Sequence, residues 1–195
     1  MKRIFDIIFS SFILLLFMPL GILISVIILF TSKGGVFYVQ KRIGRNRKEF
    51  NLLKFRTMYK DSDKSGKLTI GISDNRITYI GYFLRKYKLD EFPQFINVLL
   101  GEMSVVGPRP EVKEYVDKYN ESQLDVLKVK PGITDLASLE YFNENYILGN
   151  SSDPEKTYLD EVMPAKIELN KKYISNSSFF QDFKIVWRTF KKIIS

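Results

Sequence analysis

Two adjacent carboxylates, Asp90 and Glu91, stand just before Pro93 and a run with helical spacing, Phe92, Phe95, Ile96, Leu99 and Leu100. Proline is tolerated in a helix only in its first turn, where its missing N–H would have had no partner. The pattern predicts Asp90 as the N-cap of a helix, with Glu91 in its first turn. That end of a helix carries partial positive charge and free N–H groups, and it favours carboxylates and phosphates. Arg85, Lys86 and Lys88 run straight into the pair. Cations that close hold a carboxylate ionised and receive phosphate. The chemistry within reach is attack by a carboxylate on a phosphorylated substrate. A lone Asp-Glu pair is more often an ordinary helix cap, so other features of the chain must decide.

The absences narrow the choice. The 195 residues contain no Cys and no His. Disulfides, thiolate nucleophiles, Cys-ligated zinc, Ser-His-Asp triads and His general bases are therefore excluded. Carboxylates, Lys, Arg, hydroxyls and a hard oxygen-bound metal are left, which suits an Asp nucleophile with Mg2+. Thirty Lys and Arg against 22 Asp and Glu give a net charge of +8. Such a surplus points to anionic partners, whether nucleic acid, anionic lipid or phosphorylated substrates.

The elements that must position these groups begin at a membrane segment. No charge occurs from Ile7 to Phe30, a stretch long enough for a membrane helix. Pro19, with Gly21 close behind, predicts a kink near its middle. A straight span would place one basic flank outside, either Lys2-Arg3 or the group from Lys33 to Lys48, against the positive-inside tendency. A hairpin that dips into one leaflet keeps both flanks in the cytoplasm, and on these grounds span and hairpin both stand. Ser10, Ser11 and Ser25 are the side chains nearest to hand for backbone groups freed at the bend.

Val36–Gly44 and Glu49–Met58 read as a β-hairpin around the basic turn Arg45-Asn46-Arg47-Lys48. The turn charges suit anionic headgroups, whereas Lys54 and Arg56 lie inside the second strand and suit a specific role. Residues 61–75 read as a polar surface loop, and 78–88 as a helix with a basic end. Val112–Val126 reads as a polar, exposed helix and Ala137–Pro154 as mostly loop. Lys156–Ile174 returns to helix, interrupted at Pro164. At 179–194 aromatic and aliphatic residues share one helical face, with Lys184, Arg188, Lys191 and Lys192 on the other, as in a helix lying on a bilayer.

FYVQKRIG, LKFRTM, GYFLRKYKLDEFPQFINVLLGEMSVVGPRP and VKPGIT, in that order, resemble the bacterial sugar transferase family, the small monotopic phosphoglycosyl transferases. The resemblance implies a helix-rich α+β fold: a re-entrant membrane hairpin over 1–32, broken at Pro19, and a cytoplasmic catalytic domain over 33–195 with a small β-hairpin and interfacial amphipathic helices. It implies two steps at the cytoplasmic face of the bacterial inner membrane. A UDP-sugar gives its sugar phosphate to Asp90 and releases UMP, and undecaprenyl phosphate then takes it up. Mg2+ sits with Asp90 and Glu91, and Lys54 and Arg109 belong to the active site.

The chemistry is consistent with this. An anionic nucleophile approaching a diphosphate needs a metal and cations to offset repulsion. Lys54, Arg56, Arg85 and Arg109 are the phosphate-binding candidates. Two departures stand out: Met18 where the family commonly has Ser, and Asp135-Leu136-Ala137 after VKPGIT, where the usual Gly-Arg-Asn pattern has no counterpart. The alternative is a non-catalytic peripheral protein that binds anionic lipid. A nucleic-acid binder leaves the membrane segment unexplained.

Overall fold

The computed structural model describes residues 1–60, 62 and 74–194. Two helices open the chain, α1 (Lys2–Leu16) and α2 (Met18–Thr31), and their axes bend by 61°. The break follows from Pro19, which has no N–H to donate and sits in the first turn of α2. Phe17 bridges the two ladders, donating to Ile13 O at 3.0 Å and accepting from Gly21 N at 2.8 Å. Ser25 Oγ bonds Gly21 O at 2.7 Å, while Ser10 Oγ is buried without a partner. Neither helix alone is long and apolar enough to cross a membrane, although the bent pair together meets that test. Ile8, Phe12, Leu15, Leu16, Met18 and Ile22 are exposed around the bend.

The first turns of α1 are fastened to the globular body. Asp6, the one acidic residue of α1, is buried, and it accepts from Ser104 Oγ and Val105 N at 3.0 Å each. Arg3 donates to Val98 O and Leu99 O, carbonyls of the last turn of α4 (Gln94–Leu100), the first of which also accepts from Gly101 N at 3.0 Å. Lys2 pairs with Asp182 and Tyr173.

Strands β1 (Phe37–Ile43) and β2 (Glu49–Phe55) form the expected antiparallel hairpin, with Tyr38 opposite Lys54 and Arg42 opposite Phe50. Asn46 and Arg47 take positive φ in the turn. Alternation then sorts the faces: Tyr38, Gln40 and Arg42 of β1 point the same way as Phe50, Leu52 and Lys54 of β2. Of the polar loop expected over 61–75, all but Ser62, Asp74 and Asn75 lies outside the described residues.

Helix α3 (Tyr79–Lys86) is capped by Thr78, whose hydroxyl accepts from Gly81 N. Lys88 turns left-handed (φ 55°) and starts a 3-10 turn, Leu89–Glu91, that leads into α4. This corrects the cap expected at Asp90. The residue lies inside the 3-10 turn, and the residue flanking α4 is Pro93, whose missing N–H separates the two hydrogen-bond ladders. After α4, β3 (Ser104–Val106) pairs in parallel with β4 (Gly132–Thr134). Gly107 and Gly132 let the two backbones touch, for a Cβ on Gly132 would lie 2.1 Å from Gly107 N.

The region after Pro110 departs from expectation. The helix expected over Val112–Val126 is reduced to α5 (Lys113–Val116) and a later 3-10 segment, Gln123–Lys128, and Val112, Tyr115, Val116 and Val126 are buried. The stretch expected as loop forms α6 (Leu136–Glu140) and α7 (Glu144–Gly149). Buried Ala137, Leu139 and Leu148 explain why: these short helices pack into the cores and need no strong period of their own. Beyond them, α8 (Pro154–Thr157) and a π turn, Tyr158–Val162, precede α9 (Met163–Ser175), which carries Pro164 in its first turn.

Helix α10 (Phe179–Ile194) buries Asp182 and Ile185 against the body and leaves Phe179, Phe180, Phe183, Trp187 and Phe190 exposed. It is thus core-packed along one stripe and apolar outward along another. Val186 and Ile193, read from the sequence as part of the outward face, turn inward and line the central cavity.

Candidate active site

Four separate segments bring the charged groups together. Glu91, on the 3-10 turn, accepts from Lys54 Nζ at 3.0 Å and from Arg109 Nη2 at 2.7 Å, both on Oε1. Arg109 Nη1 reaches Oε2 at 3.5 Å. Lys54 arrives from the inward face of β2. That strand is tied to α4 by Asn97, which accepts from Leu53 N at 3.1 Å and donates to Asn51 O at 2.8 Å. Arg109 arrives on the loop after β3. Its backbone N donates at 2.9 Å to Asp135 Oδ2, and the other oxygen of Asp135 caps α6 through Ser138 N. One fully buried carboxylate therefore fixes both the Arg109 loop and the entry to α6.

The two acids respond oppositely to this setting. Burial works to raise Glu91, but Arg109 and Lys54 outweigh it and hold the carboxyl well below its usual range. Asp90 is raised, chiefly by burial, with Lys54 only partly offsetting it. No hydrogen bond reaches the Asp90 carboxylate from the described residues. Lys54 is lowered by the same burial, and Arg109 is raised by Glu91. Glu91 is thus a fixed counter-ion, whereas Asp90 is a desolvated carboxylate that borders the cavity and accepts no hydrogen bond from the described residues.

Arg85 lies on the Asp90 side, where Nε donates to Thr57 Oγ1 at 2.9 Å and its charge is felt by Asp90. Arg56 is placed differently. Its guanidinium donates to the carbonyls of Gly34, Gly35 and Phe37, closing the joint between α2 and β1. Pro19 sits at the bend, between Phe17 and Leu20, which line the apolar end of the site. Phe92, the neighbour of Glu91, packs against Phe55 and Phe17 with centroids 6.3 Å apart in each case.

Lys54, Arg56, Arg85, Asp90, Glu91 and Arg109 border one cavity of about 840 Å³. Lys54, Arg85, Asp90, Glu91 and Arg109 form its charged part, and Phe9, Ile13, Phe17, Leu20 and Ile24 of the bent helices form an apolar end. Sequence reasoning missed Arg42, Glu111, Tyr158, Glu144 and Lys166, which border it too. Arg42 Nη1 donates to Pro110 O at 2.9 Å and pairs with Glu111 at 3.4 Å, and Tyr158 OH donates to the other Glu111 oxygen at 2.6 Å. Strand alternation carried a signal for Arg42, which shares a face with Lys54. The other four come from long-range packing and carried none.

A family model described as "Bacterial sugar transferase" matches residues 1–195. The chain belongs to the bacterial sugar transferase family. Among its relatives is the exopolysaccharide production protein ExoY of Rhizobium meliloti, 35% identical over 96% of this chain and 83% of its own length. The UDP-glucose:undecaprenyl-phosphate glucose-1-phosphate transferase of Klebsiella pneumoniae is 38% identical over the whole of this chain and 40% of its own. The UDP-N-acetylgalactosamine-undecaprenyl-phosphate N-acetylgalactosaminephosphotransferase of Aeromonas hydrophila is 34% identical over the whole chain and 44% of its own. The chain thus spans less than half the length of these last two.

For a sugar transferase the arrangement divides into a cationic clamp and a free carboxylate. Hard oxygen donors suit Mg2+, which is usually held by one or two carboxylates together with substrate phosphates. No group of three or more acidic residues poised for a metal occurs among the described residues. Asp90, buried and accepting no hydrogen bond from the described residues, fits such a cation; Glu91, already satisfied by two cations, fits as the lesser partner.

Proposed function

We propose that this sugar transferase moves a sugar 1-phosphate from a UDP-sugar to undecaprenyl phosphate through a covalent intermediate on Asp90, with release of UMP. The observation that carries this is the contrast within the acidic pair: Glu91 is clamped between Lys54 and Arg109, while the neighbouring Asp90 is buried and accepts no hydrogen bond from the described residues. A carboxylate stripped of water and of hydrogen bonds is a stronger nucleophile than a solvated one. In the first step an Asp90 oxygen attacks the phosphorus that bears the sugar, the diphosphate bridge breaks, and UMP leaves with the bridging oxygen. In the second step a phosphate oxygen of the lipid attacks the same phosphorus and Asp90 departs as the free carboxylate. Arg109, Lys54 and Arg85 hold the phosphate oxygens as charge redistributes. Asp90 and Glu91 would hold Mg2+, and the ion would supply charge neutralisation for the phosphates.

The lipid half of the reaction needs a membrane route, and we read the helix pair as re-entrant. At about 1.5 Å per residue, α1 and α2 are about 22 and 21 Å long. With a bend of 61° the apex lies about 11 Å from the line joining their ends, less than half of a roughly 30 Å hydrocarbon core. Both ends are anchored to one body, through Arg3 at one side and the Arg56 joint at the other. Anchoring at both ends supports a catalytic part held at a single face of the bacterial inner membrane, and the basic flanks Lys2-Arg3 and Lys33 to Lys48 favour the cytoplasmic one. The apolar end of the cavity then opens toward the acceptor.

Reconstitution in liposomes tests the reaction. With Mg2+, a UDP-sugar and undecaprenyl phosphate, UMP and a lipid-extractable sugar are expected in equal amounts; UMP release without any lipid product would overturn the transfer. Sidedness is tested with a cysteine inserted after Met1 and another at exposed Lys33, since the chain has no Cys of its own. A membrane-impermeant maleimide should label both from the same side, and opposite sides would establish a true span. Two relatives of comparable identity are named for different sugars, so family membership leaves the sugar open.

A further inference from the structure

The cavity wall away from the helix bend carries a charged pair that the phosphate chemistry leaves unassigned. Lys166, on α9, is only 7% exposed, and its Nζ donates to Glu144 Oε2 at 2.7 Å. A buried ammonium is costly unless paired, and Met163 and Ile167, buried on the same helix, are apolar. Tyr158 stands beside the pair, its ring 5.7 Å from Lys166 Nζ. It opens the π turn that precedes Pro164. The proline has no N–H for the regular ladder, and such turns re-aim side chains, frequently at functional sites. Glu144, Tyr158 and Lys166 all border the cavity, together with the aromatic Tyr141 and Phe142.

Charge distinguishes this wall from the clamp. Lys54, Arg85 and Arg109 present net positive charge, as phosphates require. Glu144 and Lys166 balance one another and offer an acceptor beside a donor, a combination that suits hydroxyl groups. Aromatic faces suit the C–H face of a pyranose ring. Position agrees as well. Glu144 is near enough to Arg109 to help raise its pKa, and in a nucleoside diphosphate sugar the ring is bonded directly to the phosphate under attack. The nucleoside lies one phosphate further away.

We propose that Glu144 and Lys166, backed by the Tyr158 ring, form the subsite that reads the hydroxyl pattern of the donor sugar. This rests on the phosphosugar-transfer reading above. The test is the initial rate of UMP release from UDP-glucose, UDP-galactose, UDP-N-acetylglucosamine and UDP-N-acetylgalactosamine, with inhibition by UMP measured in parallel. In Glu144→Gln, which keeps size and can still accept from Lys166, the preference between the best and worst donors should shrink by about tenfold or more. Lys166→Met should shrink it likewise. Inhibition by UMP should stay within about twofold in both, because UMP lacks the sugar. A uniform loss across all four donors would reduce the pair to a structural one and overturn the subsite. A weakening of UMP inhibition matching the loss of rate would move the nucleoside here and overturn it equally. Failure of the unaltered protein to release UMP from any donor would instead overturn the transfer reading, and this subsite with it.

Discussion

Asp90→Asn is expected to lower UMP release by about 10⁴-fold or more, as loss of a covalent nucleophile does in other enzymes, while leaving the protein at least as stable. The second half of that expectation follows from burial. Asp90 is raised because the folded protein disfavours its charged form, and no hydrogen bond from the described residues offsets this. The folded state thus binds the Asp90 proton more tightly than the unfolded chain does. Stability from this group is fully present below the ordinary carboxylate pKa and is lost as pH rises from there through the raised value of the folded state. At neutral pH, without metal, a neutral Asn relieves that cost, so thermal unfolding should shift upward or stay in place. A large loss of activity together with a large loss of stability would make Asp90 a structural residue.

Arg109 is expected to behave in the opposite way. In Arg109→Met, Glu91 keeps only Lys54, and because Arg109 is about a third exposed the loss should be smaller than the about 3–5 kcal/mol that breaking a fully buried pair costs. Thermal unfolding should show that loss, and kcat/KM should fall by about 10²- to 10³-fold once a phosphate-binding group is gone. Arg109→Lys keeps the charge but not the planar fork that meets both Glu91 oxygens. It should recover much of the stability and little of the rate. Full activity in Arg109→Lys would mean that Arg109 serves only as a counter-ion to Glu91.

These contrasts show where sequence was informative. The hairpin, α3 and the bend at Pro19 were legible because each has a local cause: alternation, a basic-ended amphipathic run, a missing N–H. The cap at Asp90 was misplaced for a local reason too. Lys88 adopts a left-handed conformation that no spacing signals, and it turns the first residues of the expected helix into a 3-10 turn. The structure past Pro110 was read poorly. The short helices α5, α6 and α7 owe their existence to burial in the cores and to caps such as Asp135, not to periodicity. Lys54 and Arg109 could be associated with phosphate from the sequence, but their shared grip on Glu91 joins residues 37 and 18 positions away. Arg56 illustrates the reverse. Two residues along from Lys54, it reads as a phosphate ligand, yet three backbone carbonyls at the α2–β1 joint occupy its guanidinium.

The division between Glu91 and Asp90 has one direct readout. Protein mixed with a UDP-sugar and Mg2+, with no lipid acceptor, is digested and mapped by mass spectrometry. A sugar-phosphate adduct on the peptide containing Asp90, located at Asp90 by fragmentation and absent from Asp90→Asn, is the expected result. An adduct on Glu91 or any other residue, or UMP released at the unaltered rate with no adduct at all, would contradict it.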